Sequence, residues 1–444
     1  MTKPPAQPGY RFAFAMITTL FFLWGFVHNL DPILIPHLKR SFSLSVLQSS
    51  LVDSAVFIAY FLMALPAGLL IRRAGYRNTI VIGLLLFATG SFLFLPAADT
   101  GQYALFLGAL FVIACGLATL ETAANPYAAQ LGRPERATWR LNLAQSFNGL
   151  AATLAPIIGA RVIFVPGPGE AELQAMPAAA RQLALAAEAA SVKTPYLILG
   201  VTILVVAAVF YRLRMPAPGA AHGAAAGAGP GRGHAGGVRA GIAQAWRRAP
   251  IRRAVVAQFF YVGAQVCVFS FFILYAARAA GMAQVDAADY LGWGCGAAFM
   301  LGRFAGTWLM RFVAPARLLR GYALASAALS LVAMLGSGMM TVWAVIGIAF
   351  FMSIMFPTIF SLGIQDAGAD TEMGSSLIVM AIVGGALLPL LFGAISDATG
   401  NIQHGYVVPL ASFLVTGWFA HATLRQAARD AAAVPPQPAA VQHV

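Results

Sequence analysis

Twelve mostly apolar stretches, each of roughly 20 residues, follow one another along this chain of 444 residues. Such a chain has few choices of fold. A helix rises about 1.5 Å per residue and the hydrocarbon of a bilayer is about 30 Å thick, so each stretch is long enough to cross it. The spans are expected at about 11–37, 48–71, 78–97, 102–130, 138–164, 194–213, 251–278, 286–310, 318–337, 341–365, 374–396 and 405–424. Composition agrees: 60% of residues are hydrophobic and 10% charged, against about 25% charged in a soluble domain. The expected fold is an all-α membrane protein. The first span is too long for the apolar core of a cleaved signal and reads as a span.

The net charge is +13, and its placement argues against nucleic acid as the partner. Basic residues gather in alternate connections: Arg72, Arg73 and Arg77, then Arg133, Arg136 and Arg140, then the arginines from Arg212 to Arg253, then Arg311, Arg317 and Arg320. The other connections hold little beyond Lys39, Arg40, Arg181, Lys193 and Arg278. Under the positive-inside rule both termini face the cytoplasm. Cys115, Cys267 and Cys295 all lie inside apolar stretches, where they read as small packing residues, and neither a disulfide framework nor a metal site fits their positions.

The segment from Met215 to Gly241, with its run HGAAAGAGPGRGHAGG, is too poor in large apolar side chains to pack and reads as a flexible linker. It divides the chain into an N-terminal six-helix half (1–214), a cytoplasmic linker (215–249) and a C-terminal six-helix half with its tail (250–444). A basic helix around Trp246 to Arg253 is expected at the cytoplasmic headgroups. The stretch Ala178–Ala190 reads as a short surface helix in an outward loop. Weak internal symmetry links the halves: GLLIRRAGYRN (Gly68 to Asn78) and GRFAGTWLMRF (Gly302 to Phe312) occupy matching places.

Ionisable residues at bilayer depth are costly and usually face a cavity. Glu121 lies deep in the fourth span. Asn125 follows four residues on, on the same helix face, and Pro126 interrupts the hydrogen-bond ladder. Burial disfavours the charged form of a carboxyl group, so one at this depth is suited to take and release a proton; the plain alternative is a hydrogen-bonded structural acid. In the first span Trp24, His28 and Asp31 form a stripe at i, i+4 and i+7, and His28 and Asp31 are placed to share a proton. Pro32 and Pro36 bend the helix there, and Asp31 also reads as a solvated residue near the outer surface. The fifth span carries Asn142, Gln145 and Asn148 at intervals of three, and the seventh carries Gln258, Tyr261 and Gln265. Amides beside aromatics suit a sugar, whose hydroxyls need donors and acceptors while its C–H faces pack on rings; they equally suit helix–helix contacts. Arg303, near the inner end of the eighth span, reads as a structural clamp. Asp366, Asp370 and Glu372, at the connection between the tenth and eleventh spans, read as helix-end acids paired with basic loops; Asp397 needs no special role, and Asp53 near the outer start of the second span is a candidate for an outer vestibule.

Several blocks together resemble one family: FFLWGF (Phe21 to Phe26), FLMALPAG (Phe61 to Gly68), LETAANPY (Leu120 to Tyr127), RLNLAQSFN (Arg140 to Asn148), QFFYVGAQ (Gln258 to Gln265), GRFAGTWL (Gly302 to Leu309), PTIFSLGI (Pro357 to Ile364) and GSSLIVMAIVGGA (Gly374 to Ala386). They resemble the fucose/glucose–galactose branch of the major facilitator superfamily over nearly the whole chain. Two six-helix halves joined by a charged connection fit that architecture. The resemblance implies proton-coupled uptake of monosaccharides across a bacterial inner membrane by alternating access. It implies that Glu121 handles the proton and that Trp24, Gln145 and Asn148 line the sugar cavity. With the residue reading it yields an expected sugar set of Trp24, Asn29, Asn125, Asn142, Gln145, Asn148, Gln258, Tyr261 and Gln265, and a proton-coupling set of Glu121, Asp31 and His28. One departure stands out. The family has Asn-Asp in the first span, whereas this chain has Asp31-Pro32, and a shift of one residue turns a side chain by about 100° on a regular helix.

The leading expectation is therefore a monomeric proton–monosaccharide symporter. It is no enzyme, it needs no cofactor or metal beyond the coupled proton, and its partners are sugar, proton and lipid. The altered first-span motif motivates the alternative of a sugar uniporter or a sodium-coupled carrier. A lipid-linked glycosyltransferase is disfavoured by the short or Ala-rich outward loops, and a sensor by the lack of a signalling domain.

Overall fold

The computed structural model describes residues 8–28, 46–100, 102–163, 175–190, 193–213 and 237–433. Among the described residues the regular structure is entirely helical. Eight helical stretches are long and apolar enough to cross a membrane. The longest, Val46–Thr100, breaks at Gly75, where φ is +78° and ψ is 169°, and so makes the second and third crossings. A side chain would be strained at that φ. Three further helical segments complete the order: Pro8–His28 as the first span, Ala137–Ile163 as the fifth, and Gln284 to Leu309 as the eighth. The others are Tyr103–Gln130 (fourth), Lys193–Arg212 (sixth), Ala249–Ser270 with Phe272–Ala280 (seventh), Pro315–Leu335 (ninth), Met339–Met352 with Met355–Ile364 (tenth), Thr371 to Thr399 (eleventh) and Ile402 to Ala433 (twelfth). Twelve crossings in two sixes are the expected architecture, and their ends fall within a few residues of the expected ones wherever both are described, except that the twelfth helix runs on to Ala433 and not to 424.

Glycines set how closely spans approach. A Cβ on Gly116 would lie 2.6 Å from the Phe87 backbone nitrogen, and one on Gly90 would lie 2.6 Å from that of Ile113. The third and fourth spans therefore meet backbone to backbone, the usual basis of helix association in lipid. At the termini-bearing end Arg140 ties the fourth span to the fifth. Its guanidinium donates to the carbonyls of Ala128 and Ala129, and to that of Arg133 at 2.7 Å. A cation there satisfies the orphan carbonyls of a helix C-terminus and complements its dipole.

The connection between the halves differs from expectation. Gly237–Arg247 is helical, and its apolar Ile242 and Ala245 pack with Leu65 and Leu69 of the second span and with Met373 and Leu377 of the eleventh. The backbone turns extended at Arg248, and Pro250 opens the seventh span just beyond. The basic stretch from Trp246 to Arg253 is thus two helices meeting at a corner, because proline favours a first turn and not an interior one. Arg248 at that corner pairs with the buried Asp370, the pairing of a helix-end acid with a basic connection that the sequence leads one to expect. The segment Ala178–Ala190 is a helix, as expected.

Four spans of the C-terminal half are broken within their length. The seventh span interrupts at Phe271 and the tenth at Ile354, the eighth contains a π-helical turn at Tyr290–Gly296, and the eleventh a 3-10 turn at Ala381–Val383.

Candidate functional site

Those breaks border a cavity of about 590 Å³ between the two halves. The first half contributes Trp24, Tyr60, Glu121, Gln145, Asn148 and Thr153. The second contributes Gln265 and Phe269 just before the seventh-span break, Trp293 within the π turn, Arg303, Phe356 just after the tenth-span break, and Ile382 in the 3-10 turn. Irregular backbone at membrane depth is tolerated where it lines a cavity.

Glu121 is 5% exposed and forms part of the wall. Tyr60 from the second span and Asn125 from its own helix neighbour its carboxyl, and the Arg303 guanidinium from the opposite half bears on it electrostatically. Arg303 is itself buried, with Nε donating to the Ser353 carbonyl at 2.9 Å, Nη1 donating to the Gln145 carbonyl at 2.7 Å, and its guanidinium 4.6 Å from the Phe299 ring centroid. The amide of Gln145 donates to Asn125 Oδ1 at 3.2 Å. Asn148 donates to the Phe21 carbonyl at 3.3 Å. A Cβ on Gly25 would sit 2.6 Å from Asn148 Nδ2, so only glycine lets the first span come this close.

Below the cavity, toward the end that carries the termini, the halves are in contact. Thr138 and Ser361 share a hydroxyl–hydroxyl bond of 2.9 Å, Asn142 Nδ2 donates to Thr358 Oγ1 at 3.1 Å, and Ser146 and Thr307 are 3.4 Å apart. A Cβ on Gly68 would meet Ser376 Oγ at 2.0 Å, which shows how tightly the second and eleventh spans abut there.

Trp24, Glu121, Gln145, Asn148 and Gln265 thus reach the cavity. Asn125, Asn142, Gln258 and Tyr261 are fully buried and do not line it. Spacing on a helix face placed them with the others, but depth separates them: Asn142 lies six residues, or about 9 Å, below Asn148. Asn29 and Asp31 lie outside the described residues, as does the His28 side chain. Arg303 combines the clamp expected of it with a place in the cavity wall. Tyr60 and Trp293 went unremarked in the sequence. Tyr60 sits in a run with no polar neighbour, and Trp293 lies among glycines whose π-helical winding has no pattern to read. Cys115, Cys267 and Cys295 are free thiols, as expected.

Two bundles of membrane-crossing helices around a largely apolar cavity that carries a few polar and charged side chains, joined tightly on one side of it, are the build of a multi-pass membrane carrier. The chain belongs to the major facilitator superfamily, whose model matches residues 12–389. It is 40% identical over 414 residues to the L-fucose-proton symporter of Escherichia coli (strain K12), covering 93% of each chain. It is 39% identical over 420 residues to the glucose/galactose transporter of Brucella abortus biovar 1 (strain 9-941), covering 94% of this chain and 95% of that one. The crystal structure of the major facilitator transporter FucP in the outward conformation superposes with a TM-score of 0.85 at 39% identity, covering 94% of this chain and 99% of that one.

Proposed function

We propose that this protein is a proton-coupled monosaccharide symporter of the bacterial inner membrane, working by alternating access, with both termini in the cytoplasm and Glu121 carrying the coupled proton. The observation that carries this reading is the buried Glu121 carboxyl at the wall of an inter-half cavity, with Arg303 of the other half acting on it. The relatives named for fucose–proton symport and for glucose and galactose transport support the sugar and the proton. The alternating basic connections support the orientation. With the termini inside, the cavity lies in the outer half of the bundle, and the polar contacts beneath it close the cytoplasmic side.

The coupling follows from electrostatics. With Glu121 ionised, its attraction to Arg303 holds the halves together across the cavity. Protonation removes that attraction, and sugar hydroxyls take up the amides of Gln145, Asn148 and Gln265, with C–H faces against Trp24 and Phe269. The neutral loaded carrier then reorients. His28 and Asp31 are proposed to assist in proton entry. Both walls of the cavity come from one chain, which supports a monomer as the working unit.

Proteoliposomes decide the matter. Sugar addition should drive proton uptake by the wild type and not by Glu121→Gln; a mutant that still moves protons with sugar would remove Glu121 from the role. Sugar uptake indifferent to a proton ionophore would favour the uniporter, and uptake that requires sodium the sodium-coupled carrier.

A further inference from the structure

Three buried amides lie one to two turns beneath cavity-lining residues, toward the termini-bearing end. Asn125 lies four residues beyond Glu121 in the fourth span, which runs toward that end. Asn142 lies three residues before Gln145 in the fifth span, and Gln258 seven before Gln265 in the seventh, both of which run away from it. All three are fully buried. Asn142 Oδ1 and both Nε2 and Oε1 of Gln258 have no hydrogen-bond partner. Asn125 turns its amide to the Glu121 carboxyl, and the fully buried Tyr261 hydroxyl has the Phe356 backbone beside it.

Such atoms are costly. A buried polar atom without a partner costs about 1–3 kcal/mol, and lipid offers no water to relieve it. Two side chains left so, Asn142 of the first half and Gln258 of the second, are better explained by a second state that satisfies them. The geometry shows what divides them. The inner half of the tenth span, Met355–Ile364, stands between the two groups: Thr358 takes the Asn142 amide on one side, while the Phe356 ring lies 6.5 Å from that of Tyr261 on the other. Opening the bundle at the termini-bearing end must part Thr138 from Ser361 and Asn142 from Thr358, since both bonds join one half to the other.

We infer that Asn125, Asn142, Gln258 and Tyr261 form a second, release-side subsite for a polyhydroxylated ligand, exposed only when the halves open toward the termini-bearing face. An available donor stands on Gln258 and available acceptors on Asn142 and Gln258, with the Asn125 amide and the Tyr261 hydroxyl beside them, the mixed set that hydroxyls require. The orphan atoms destabilise the closed inner half and so lower the barrier to opening it. The inference deepens the sugar-carrier reading and rests on it for the class of ligand.

Two variants test it in the full-length chain. In a background with Cys115→Ala, Cys267→Ala and Cys295→Ala, Gln258→Cys should react with a membrane-impermeant maleimide in inside-out vesicles and not in right-side-out ones. D-glucose, D-galactose or L-fucose, whichever the wild type carries, should slow the reaction. Reaction from neither face, reaction from the outer face, or no protection by a transported sugar would overturn the subsite. In Gln258→Leu, the KM for sugar entering from the termini-bearing face should rise roughly tenfold, the worth of one hydrogen bond to the ligand, while the KM from the outer face stays unchanged. An equal rise on both faces would mean a merely structural role and would sink the proposal. If the wild type carries none of these sugars the sugar reading falls, and inner-face labelling alone then decides whether the amides line an inner chamber.

Discussion

Arg303 of the eighth span donates to the backbone carbonyl of Gln145 in the fifth at 2.7 Å. The bond joins the two halves at the cavity floor, beside the one carboxyl that the described residues bring to the wall. A second bond to the Ser353 carbonyl holds the same guanidinium from behind. The arginine therefore has two tasks, a mechanical one through its carbonyl bonds and an electrostatic one toward Glu121.

Lysine keeps the charge and cannot make both carbonyl bonds at once, since its ammonium is a point donor and the guanidinium a fork. Arg303→Lys should retain sugar binding and lower the rate of counterflow by roughly 10- to 100-fold, the range for a charge-assisted hydrogen bond. Arg303→Gln should in addition change the pH response. Exchange and binding measured side by side separate the two effects; a lysine variant as fast as the wild type would show that the bonds to Gln145 and Ser353 do no mechanical work.

In the proposed mechanism, loading from outside needs a proton on Glu121. Uptake should therefore be fastest at low external pH and fall as pH rises through the titration of that carboxyl. Glutamine mimics the protonated form at every pH, so Glu121→Gln should flatten the profile while exchange of internal for external sugar persists. Initial rates of uptake and of exchange across a pH series would show it. A profile that keeps its slope in the variant would place the titrating group elsewhere.

The hydroxyl pair Thr138 and Ser361 is a simple latch between halves. Removing it by Thr138→Val should favour the form open at the termini-bearing end by about 0.5–1.5 kcal/mol, the net value of one hydrogen bond. Ser361→Ala should do the same, and the double variant should add little more because the two share one bond. Distances between spin labels on the two inner faces, read by pulsed electron resonance, give the populations. Additive effects would show that the two hydroxyls act independently.

Gly116 and Gly108 lie on the same span with opposite surroundings. A Cβ at Gly116 would lie 2.6 Å from the Phe87 backbone nitrogen and 2.7 Å from the Gly83 carbonyl oxygen, while one at Gly108 meets nothing within 4 Å. Gly116→Ala should cost about 1–3 kcal/mol through overpacking and lower the melting temperature in detergent. Gly108→Ala should leave it unchanged or raise it slightly, since alanine is the better helix former by up to about 1 kcal/mol.

Much of the fold was legible because lipid makes span length and apolarity almost sufficient. Glu121 was legible for the same reason, as a carboxyl far from either end of an apolar run. What sequence spacing does not carry is depth. Asn142 and Asn148 share a span and a residue type, yet one seals the halves against Thr358 and the other faces the cavity. Nor does spacing register backbone winding. Trp293 is 71% exposed and lines the cavity only because the helix around it widens to a π turn, within a GWGCG stretch that looks like ordinary small-residue packing. Arg303 was read from its place near a span end, and its reach to the carbonyls of two other spans depends on how the eighth, tenth and fifth spans cross.

The carboxyl and the guanidinium at the cavity come from opposite halves, Glu121 from the first and Arg303 from the second. The eighth span answers to the second and the fourth to the tenth, so the acid and the cation stand at places that do not correspond between the halves. The charge pair is therefore no product of the repeat: each half brings one member from a different span, and only the joining of unlike halves brings the two together.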